Sequence, residues 1–297
     1  MQKHNYYIFI GILIALGVTF LPITFFSPII VVALGLFLGC YSILYRYKDS
    51  QDYHFLLKAF LLSFLSRIAA GYMMYNLVFI FNQTGLIDDG QWYSRNGDII
   101  LQMWLGGTKD INFISDYVRS ISWSGTIGSY DFWNAIVYFF TGTSPICLIF
   151  INCLASSLTI IFIYDITKDL CNRKAAIIAT LLTAFWPSTF FWSLQNLKDS
   201  ITVFTICFLM WIIFQIKKRL RFYLIFLVIP LTLILKELRI FLVVILYMFI
   251  LPLSLLVESR FEKEILLFSI CLGAALIFVF MNQIMGFYTK IFSDRSP

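Results

Sequence analysis

Three short polar stretches interrupt an otherwise apolar chain, and each carries residues able to do chemistry. The first is Asp88-Asp89-Gly90-Gln91-Trp92-Tyr93. Two neighbouring carboxylates at a membrane surface repel each other and resist desolvation unless they are paired or neutralised. A carboxylate so placed can serve as a general base, drawing a proton from an acceptor hydroxyl. Equally, Asp and Gly there can simply make a solvated turn. The second stretch is Gln195-Asn196-Leu197-Lys198-Asp199-Ser200. Asp199 and Ser200 suit the first turn of a helix, where the macrodipole favours negative charge and a capping side chain. Lys198 can reach a lipid phosphate or merely extend along the interface. The third is Lys236-Glu237-Leu238-Arg239, three charges wedged between apolar runs. Arg offers paired donors to phosphate, whereas a local Lys–Glu–Arg pairing would only punctuate a helical hairpin. Arg67, inside a long apolar run, is a fourth basic candidate and is expected to snorkel toward the inner interface.

The elements that must position these residues are membrane helices. The 297 residues are 60% hydrophobic and only 13% charged, with a mean hydropathy of +0.86. A soluble domain is about a quarter charged, so this chain cannot cover itself with a wettable surface. Apolar runs at 6–21, 29–45, 57–81, 146–164, 175–190, 201–216, 222–235, 240–257 and 265–281 approach the length that crosses a hydrocarbon core. The expected fold is therefore an all-α integral membrane protein of about nine transmembrane helices. Pro22 and Pro28 break the first two runs into a tight hairpin. The first run is read as a retained span rather than a cleaved signal. The expected organisation is a three-span segment (1–81), an outer loop (82–145) and a six-span segment with a short tail (146–297).

Orientation follows from Lys and Arg in the short loops. One set of loops, with Arg46, Lys48, Lys168, Arg173 and Lys217–Arg221 among its members, holds thirteen basic residues against eight in the other. The richer set is expected in the cytoplasm together with the N-terminus, His4 and His54. The loop at 82–132 then faces outward. Within it, Trp92, Ile99, Ile100, Met103 and Trp104 recur at helical spacing, as do Phe113, Ile114, Tyr117, Val118 and Ile121. Both groups read as amphipathic helices in the outer interface. Phe132–Phe140 is too short to span and is expected to dip in or lie flat.

Several function classes fall away. The net charge of +6 is scattered in topology-setting clusters, so no nucleic-acid partner is expected. The six cysteines lie in or beside apolar segments without a C-x-x-C pair, as membrane-buried thiols do. No cytoplasmic loop exceeds about a dozen residues, too few for a nucleotide-binding domain.

Four stretches in order resemble the GT-C superfamily of membrane glycosyltransferases, in the family 39-like branch of protein mannosyltransferases and lipid A aminoarabinose transferases. Leu86-Ile-Asp-Asp-Gly-Gln-Trp-Tyr-Ser-Arg-Asn-Gly-Asp98 is similar to that branch's acidic first outer loop, an Asp followed four residues later by an aromatic. Tyr130-Asp-Phe-Trp-Asn-Ala-Ile-Val-Tyr-Phe-Phe-Thr-Gly-Thr-Ser-Pro145 resembles its re-entry into the membrane, and Asn152 to Ala176 the following span and basic turn. Phe185-Trp-Pro-Ser-Thr-Phe-Phe-Trp-Ser-Leu-Gln-Asn-Leu-Lys-Asp-Ser200 resembles its Pro-Ser…Lys-(Asp/Glu)-Ser segment. The likeness covers roughly 83–245.

The resemblance implies transfer of a sugar from a polyprenyl-phosphate carrier to a surface glycan, lipid or protein on the outer face of the cytoplasmic membrane. It implies Asp89 as the base, with Asp88 as second choice. Lys198 and Arg239 would hold the donor phosphate, and Tyr93 and Asp199 complete the substrate-binding set. Phosphate leaves without a general acid, so the polyprenyl-phosphate sugar is the only co-substrate expected. No metal is predicted, although Asp88 and Asp89 keep a divalent ion open. The alternatives are a polymerase or ligase of lipid-linked glycans, a flippase or other transporter, and a non-catalytic assembly subunit.

Overall fold

A computed structural model describes residues 28–80, 88–107, 129–218 and 222–247. Among the described residues every regular element is helical. The helices are α1 (Pro28–Tyr47), α2 (Tyr53–Ile80), α3 (Asp88–Trp104), α4 (Ser129–Thr141), α5 (Pro145–Leu170), α6 (Arg173–Phe185), α7 (Pro187–Ser193), α8 (Asp199–Lys218), α9 (Phe222–Leu238) and α10 (Ile240–Ile245). The chain divides into two compact units, Met1–Phe204 and Thr205–Pro297.

Four described helices, α1, α2, α5 and α8, are long and apolar enough to cross a membrane. The bent pair α6–α7 makes a fifth if it is one span. These correspond to the runs expected at 29–45, 57–81, 146–164, 201–216 and 175–190. The runs at 6–21 and 265–281, most of 240–257, and the second amphipathic group at 113–121 lie outside the described residues.

In the first unit, α5 is the central helix, packed against α1, α2 and α6. A core of Ile43, Phe60, Phe64, Cys153, Ile160 and Tyr164 fills the space between them. α1 shows why an all-apolar helix still has a packing face. Val31, Gly35, Gly39, Ile43 and Tyr47, spaced by four, are buried, while Ile29, Leu38, Tyr41 and Tyr45 are exposed. In a bilayer the second set meets acyl chains rather than water, so its exposure costs nothing.

One end of this bundle is closed by charge. Asp52, in the α1–α2 turn and 2% exposed, accepts from Lys168 Nζ at 2.6 Å and Arg173 Nε at 2.6 Å. Asp165 on α5 accepts from Tyr47 and pairs with Arg46. Both carboxylates thus draw the basic turn residues across from neighbouring helices. Burial raises the Asp52 pKa, but the bonds from Lys168 and Arg173 outweigh it and hold the carboxyl well below the ordinary range. A depressed folded-state pKa adds stability above the unfolded value of about 4, and that stability fades as pH falls further. Asp52→Asn is expected to cost about 1–3 kcal/mol at neutral pH, the lower part favoured because Lys168 and Arg173 are half exposed and regain water. Thermal unfolding of detergent-solubilised protein would check this. The two midpoints should converge as pH drops below about 4, and an unchanged gap would argue against the clamp.

The expected continuous span at 175–190 is broken. α6 and α7 meet at 47° across Trp186. Pro187 has no N–H to donate, and its ring pushes the preceding residue out of the helical region; Trp186 accordingly sits at φ −60°, ψ 123°. The break explains a second departure from expectation. Arg67 does not snorkel: it is wholly buried in the middle of α2. Its guanidinium donates to Ser193 Oγ at 3.0 Å, to the Ser63 hydroxyl, and to the Ser63 and Thr183 carbonyls at 3.5 Å. It also lies 5.0 Å from the Phe190 ring centroid. The broken helix supplies a hydroxyl, a carbonyl and an aromatic face, so the cation is solvated by protein inside the bilayer.

The second unit is described by itself. Leu209, Ile212, Leu224, Val228, Leu235, Val243 and Leu246 form its core, and Thr232 and Tyr247 share a hydrogen bond at 2.7 Å. α9 ends at Leu238, and Arg239 alone, in extended conformation, separates it from α10. Lys236 pairs with Glu237 at 3.6 Å.

Candidate active site

α3 and α4 form a helical pair too short to cross a hydrocarbon core of about 30 Å, at 17 and 13 residues. The amphipathic spacing of Trp92, Ile100 and Trp104 is realised in α3: Ile100 is buried, while Trp92 and Trp104 are exposed. The pair is held face to face by close backbone approach. A Cβ at Gly97 would come within 2.5 Å of Asn134 Cβ, so the crossing requires glycine there. α4 then ends at Gly142 (φ +72°), a left-handed position that suits glycine. Pro145 opens α5 with its fixed φ at the first turn.

The loop between α7 and α8 is anchored against this pair by neutral amides. Asn152, buried in α5, donates from Nδ2 to the main-chain oxygens of Gln195 (2.7 Å) and Leu197 (2.9 Å), and to Tyr130 OH at 3.3 Å. Tyr130 OH donates to Asn196 Oδ1 at 3.0 Å. Burial pushes the Tyr130 phenol above its usual range, against the Asn152 bond that pulls it down, so it remains a neutral donor. Asn196 Nδ2 in turn reaches Asn134 Oδ1 at 2.7 Å and the carbonyl of Gly90 at 3.2 Å. Asp131, 1% exposed on α4, accepts from Asn96 Nδ2 at 3.3 Å.

That Gly90–Asn196 bond brings two of the sequence motifs together. Gly90 follows Asp89, and Asn196 stands two residues before Lys198. Asp89 is exposed in the first turn of α3, and among the described residues its carboxylate has no hydrogen bond or ion pair. Asp88 begins α3, its side chain being outside the described residues. Tyr93 packs edge-on against Tyr130, with centroids 4.9 Å apart. Lys198 is half-buried, its main-chain oxygen accepting from the Thr202 N–H and hydroxyl at the start of α8, and its ammonium has no partner among the described residues. Asp199 is the first residue of α8. Five of the six expected site residues thus lie in the first unit; Arg239 belongs to the second.

A carboxylate and an ammonium that have no partner among the described residues, on elements tied by an amide network, can act as a base and hold an anion. Among the described residues no three His, Cys, Asp or Glu side chains gather as metal ligands would. The family model for dolichyl-phosphate-mannose-protein mannosyltransferase matches residues 130–282, just over half of the chain.

The chain belongs to that family.

Membership makes it a glycosyltransferase of the GT-C type. Nothing among curated proteins or solved structures significantly matches the chain. The family match opens at Tyr130 and takes in Asp131, Asn134, Asn152, Gln195, Asn196, Lys198, Asp199 and Arg239. Asp88, Asp89 and Tyr93 lie ahead of it. The amides that hold the site were not singled out from sequence. The available signal was their position: Asn134 and Asn152 interrupt apolar runs, where an unpaired polar group is costly.

Proposed function

We propose that the protein transfers one sugar from a polyprenyl-phosphate carrier to a hydroxyl of a glycan, lipid or protein acceptor, at the outer face of the membrane. The family's name specifies a dolichyl-phosphate-linked mannose and a protein acceptor. The observation that carries the reading is the Asn196–Gly90 bond, which holds the acidic turn and the Lys198 loop against each other.

In this reading Asp89 takes the proton of the acceptor hydroxyl as its oxygen bonds to the anomeric carbon. The bond from that carbon to the phosphate oxygen breaks, and the phosphate departs on its lipid. Lys198 neutralises charge growing on that phosphate. Tyr93 and Asp199 flank the reacting groups. Phosphate leaves as an anion, so the reaction requires no acid and no resident cofactor.

Membranes bearing the protein, incubated with radiolabelled polyprenyl-phosphate sugars and cell-envelope acceptors, should move label into a glycan, lipid or protein fraction as a single addition. A ladder of lengths would indicate a polymerase, and label crossing vesicles without covalent change would indicate a transporter. Lys198→Met should raise KM for the lipid-linked donor about tenfold, the value of one charge-assisted contact, with a smaller change in kcat. An unaltered KM would remove Lys198 from the phosphate.

A further inference from the structure

Pro187 leaves a gap in the hydrogen bonding of the α6–α7 break, and Arg67 reaches across it. In a continuous helix the N–H of residue 187 would meet the carbonyl of Thr183, but proline has none. That carbonyl accepts instead from Arg67 Nη2 and the Thr189 hydroxyl, each at 3.5 Å. Beyond the break the same guanidinium donates through Nε to Ser193 Oγ at 3.0 Å and lies 5.0 Å from the Phe190 ring centroid. One planar cation thus touches both halves of the bent pair, and its bond to the Ser63 hydroxyl one turn back fixes its direction on α2. Packing alone does not call for arginine here, because an apolar side chain would join these helices without burying a charge. What the guanidinium adds is direction, a fork of donors with fixed geometry.

Ser193 is where this brace meets the candidate site. It is the last residue of α7, and its carbonyl accepts from the Cys153 thiol of α5 at 3.4 Å. Leu194 to Leu197, all buried, follow directly and lead to Lys198. Asn152 holds the middle of that loop, and the Thr202 hydroxyl holds its far end by the Lys198 carbonyl at 2.8 Å. Arg67 holds the remaining end. It stands ahead of the family match, which opens at residue 130. We propose that Arg67 is a positioning residue: by spanning the proline break it fixes the direction of α7 and, through Ser193, the placement of the Lys198 ammonium for the donor phosphate. This rests on the function proposed above and adds the residue that sets its phosphate contact from a neighbouring helix.

The test is a binding cycle on full-length protein in nanodiscs, with bare undecaprenyl phosphate as the probe and no turnover needed. Lys198→Met is expected to weaken binding about tenfold. Arg67→Met and Ser193→Ala cut the same link from opposite ends, and each should weaken binding about three- to tenfold. Their thermal midpoints should move in opposite directions. Arg67→Met removes a cation from the bilayer interior and melts at or above wild type, whereas Ser193→Ala leaves the guanidinium short of an acceptor and melts lower. A merely structural role would instead make affinity follow stability. Added to Lys198→Met, either change should weaken binding no further, because the contact it sets is already gone. Should Arg67→Met not fold, Ser193→Ala closes the cycle alone. Multiplied losses, affinity that simply tracks the midpoint, or wild-type affinity in either folded single variant would refute the positioning role and leave the donor reading intact. A wild type that binds no undecaprenyl phosphate, or a Lys198→Met variant that binds it as wild type does, would sink the phosphate reading and the positioning role with it.

Discussion

Replacing Asp89 by asparagine is expected to lower sugar transfer by about 10²–10⁴-fold, the usual contribution of a general base. The exchange keeps shape and removes the ability to take a proton at neutral pH. Asp89 is exposed and makes no contact among the described residues that the fold relies on. Its structural part is limited to a favourable charge at the α3 N-terminus, worth about 0.3–1 kcal/mol. The variant should therefore reach the membrane in normal amount and melt within a few degrees of wild type. Initial rates from a labelled lipid donor, normalised to protein in the membrane, give the measurement. Full activity would move the base to Asp88, and Asp88→Asn would then be the variant that fails.

The second large effect is expected at Asn152, far less conspicuous as a residue of chemistry. Asn152→Leu is nearly the same size but removes the side-chain donor from the Leu197 carbonyl. It also strips one of two donors from the Gln195 carbonyl, which keeps the Leu197 N–H at 2.9 Å. One lost partner and one weakened one cost about 2–3 kcal/mol. The loop that slackens is the one presenting Lys198, and a displacement of about 1 Å at a reacting group can cost 10²-fold in rate. Activity should thus fall while the charge clamp around Asp52, at the other end of α5, persists. A lowered thermal midpoint together with a reduced kcat/KM would match this. Unchanged stability would mean that the loop holds itself.

Composition and apolar run length were enough to read the four or five candidate membrane helices among the described residues, because hydropathy acts locally and each span reports on itself. The helix Asp88–Trp104 was legible for the same reason: Trp92, Ile100 and Trp104 keep a helical period whatever surrounds them. The break at Trp186 was within reach, since Pro187 is visible, but Phe190, Phe191 and Trp192 beyond it sustain the pattern of one span. Arg67 could not be placed from sequence at all. Whether a basic residue snorkels or is solvated internally depends on what lies opposite, and here that is Ser193 and Thr183, more than a hundred residues away. The amide network was hidden similarly. Asn134, Asn152 and Asn196 have no characteristic spacing, and their meaning arises only when three helices and a loop converge. Asp89 and Lys198, by contrast, announced themselves as charges in apolar surroundings, and the bond between Gly90 and Asn196 is what the sequence had no means to declare.

The distance along the chain from Arg67 to Ser193 has a consequence in time. The two are 126 residues apart, and synthesis at about 5–20 residues per second separates their appearance by roughly 6–25 s. Throughout that interval α2 carries a cation at mid-depth, an expense of about 2.5–3.5 kcal/mol on insertion scales, with only its own Ser63 to solvate it. The nascent α2 is accordingly a client of the insertion machinery or of deformed lipid until α7 arrives, and assembly of this bundle is ordered by when its serine is made.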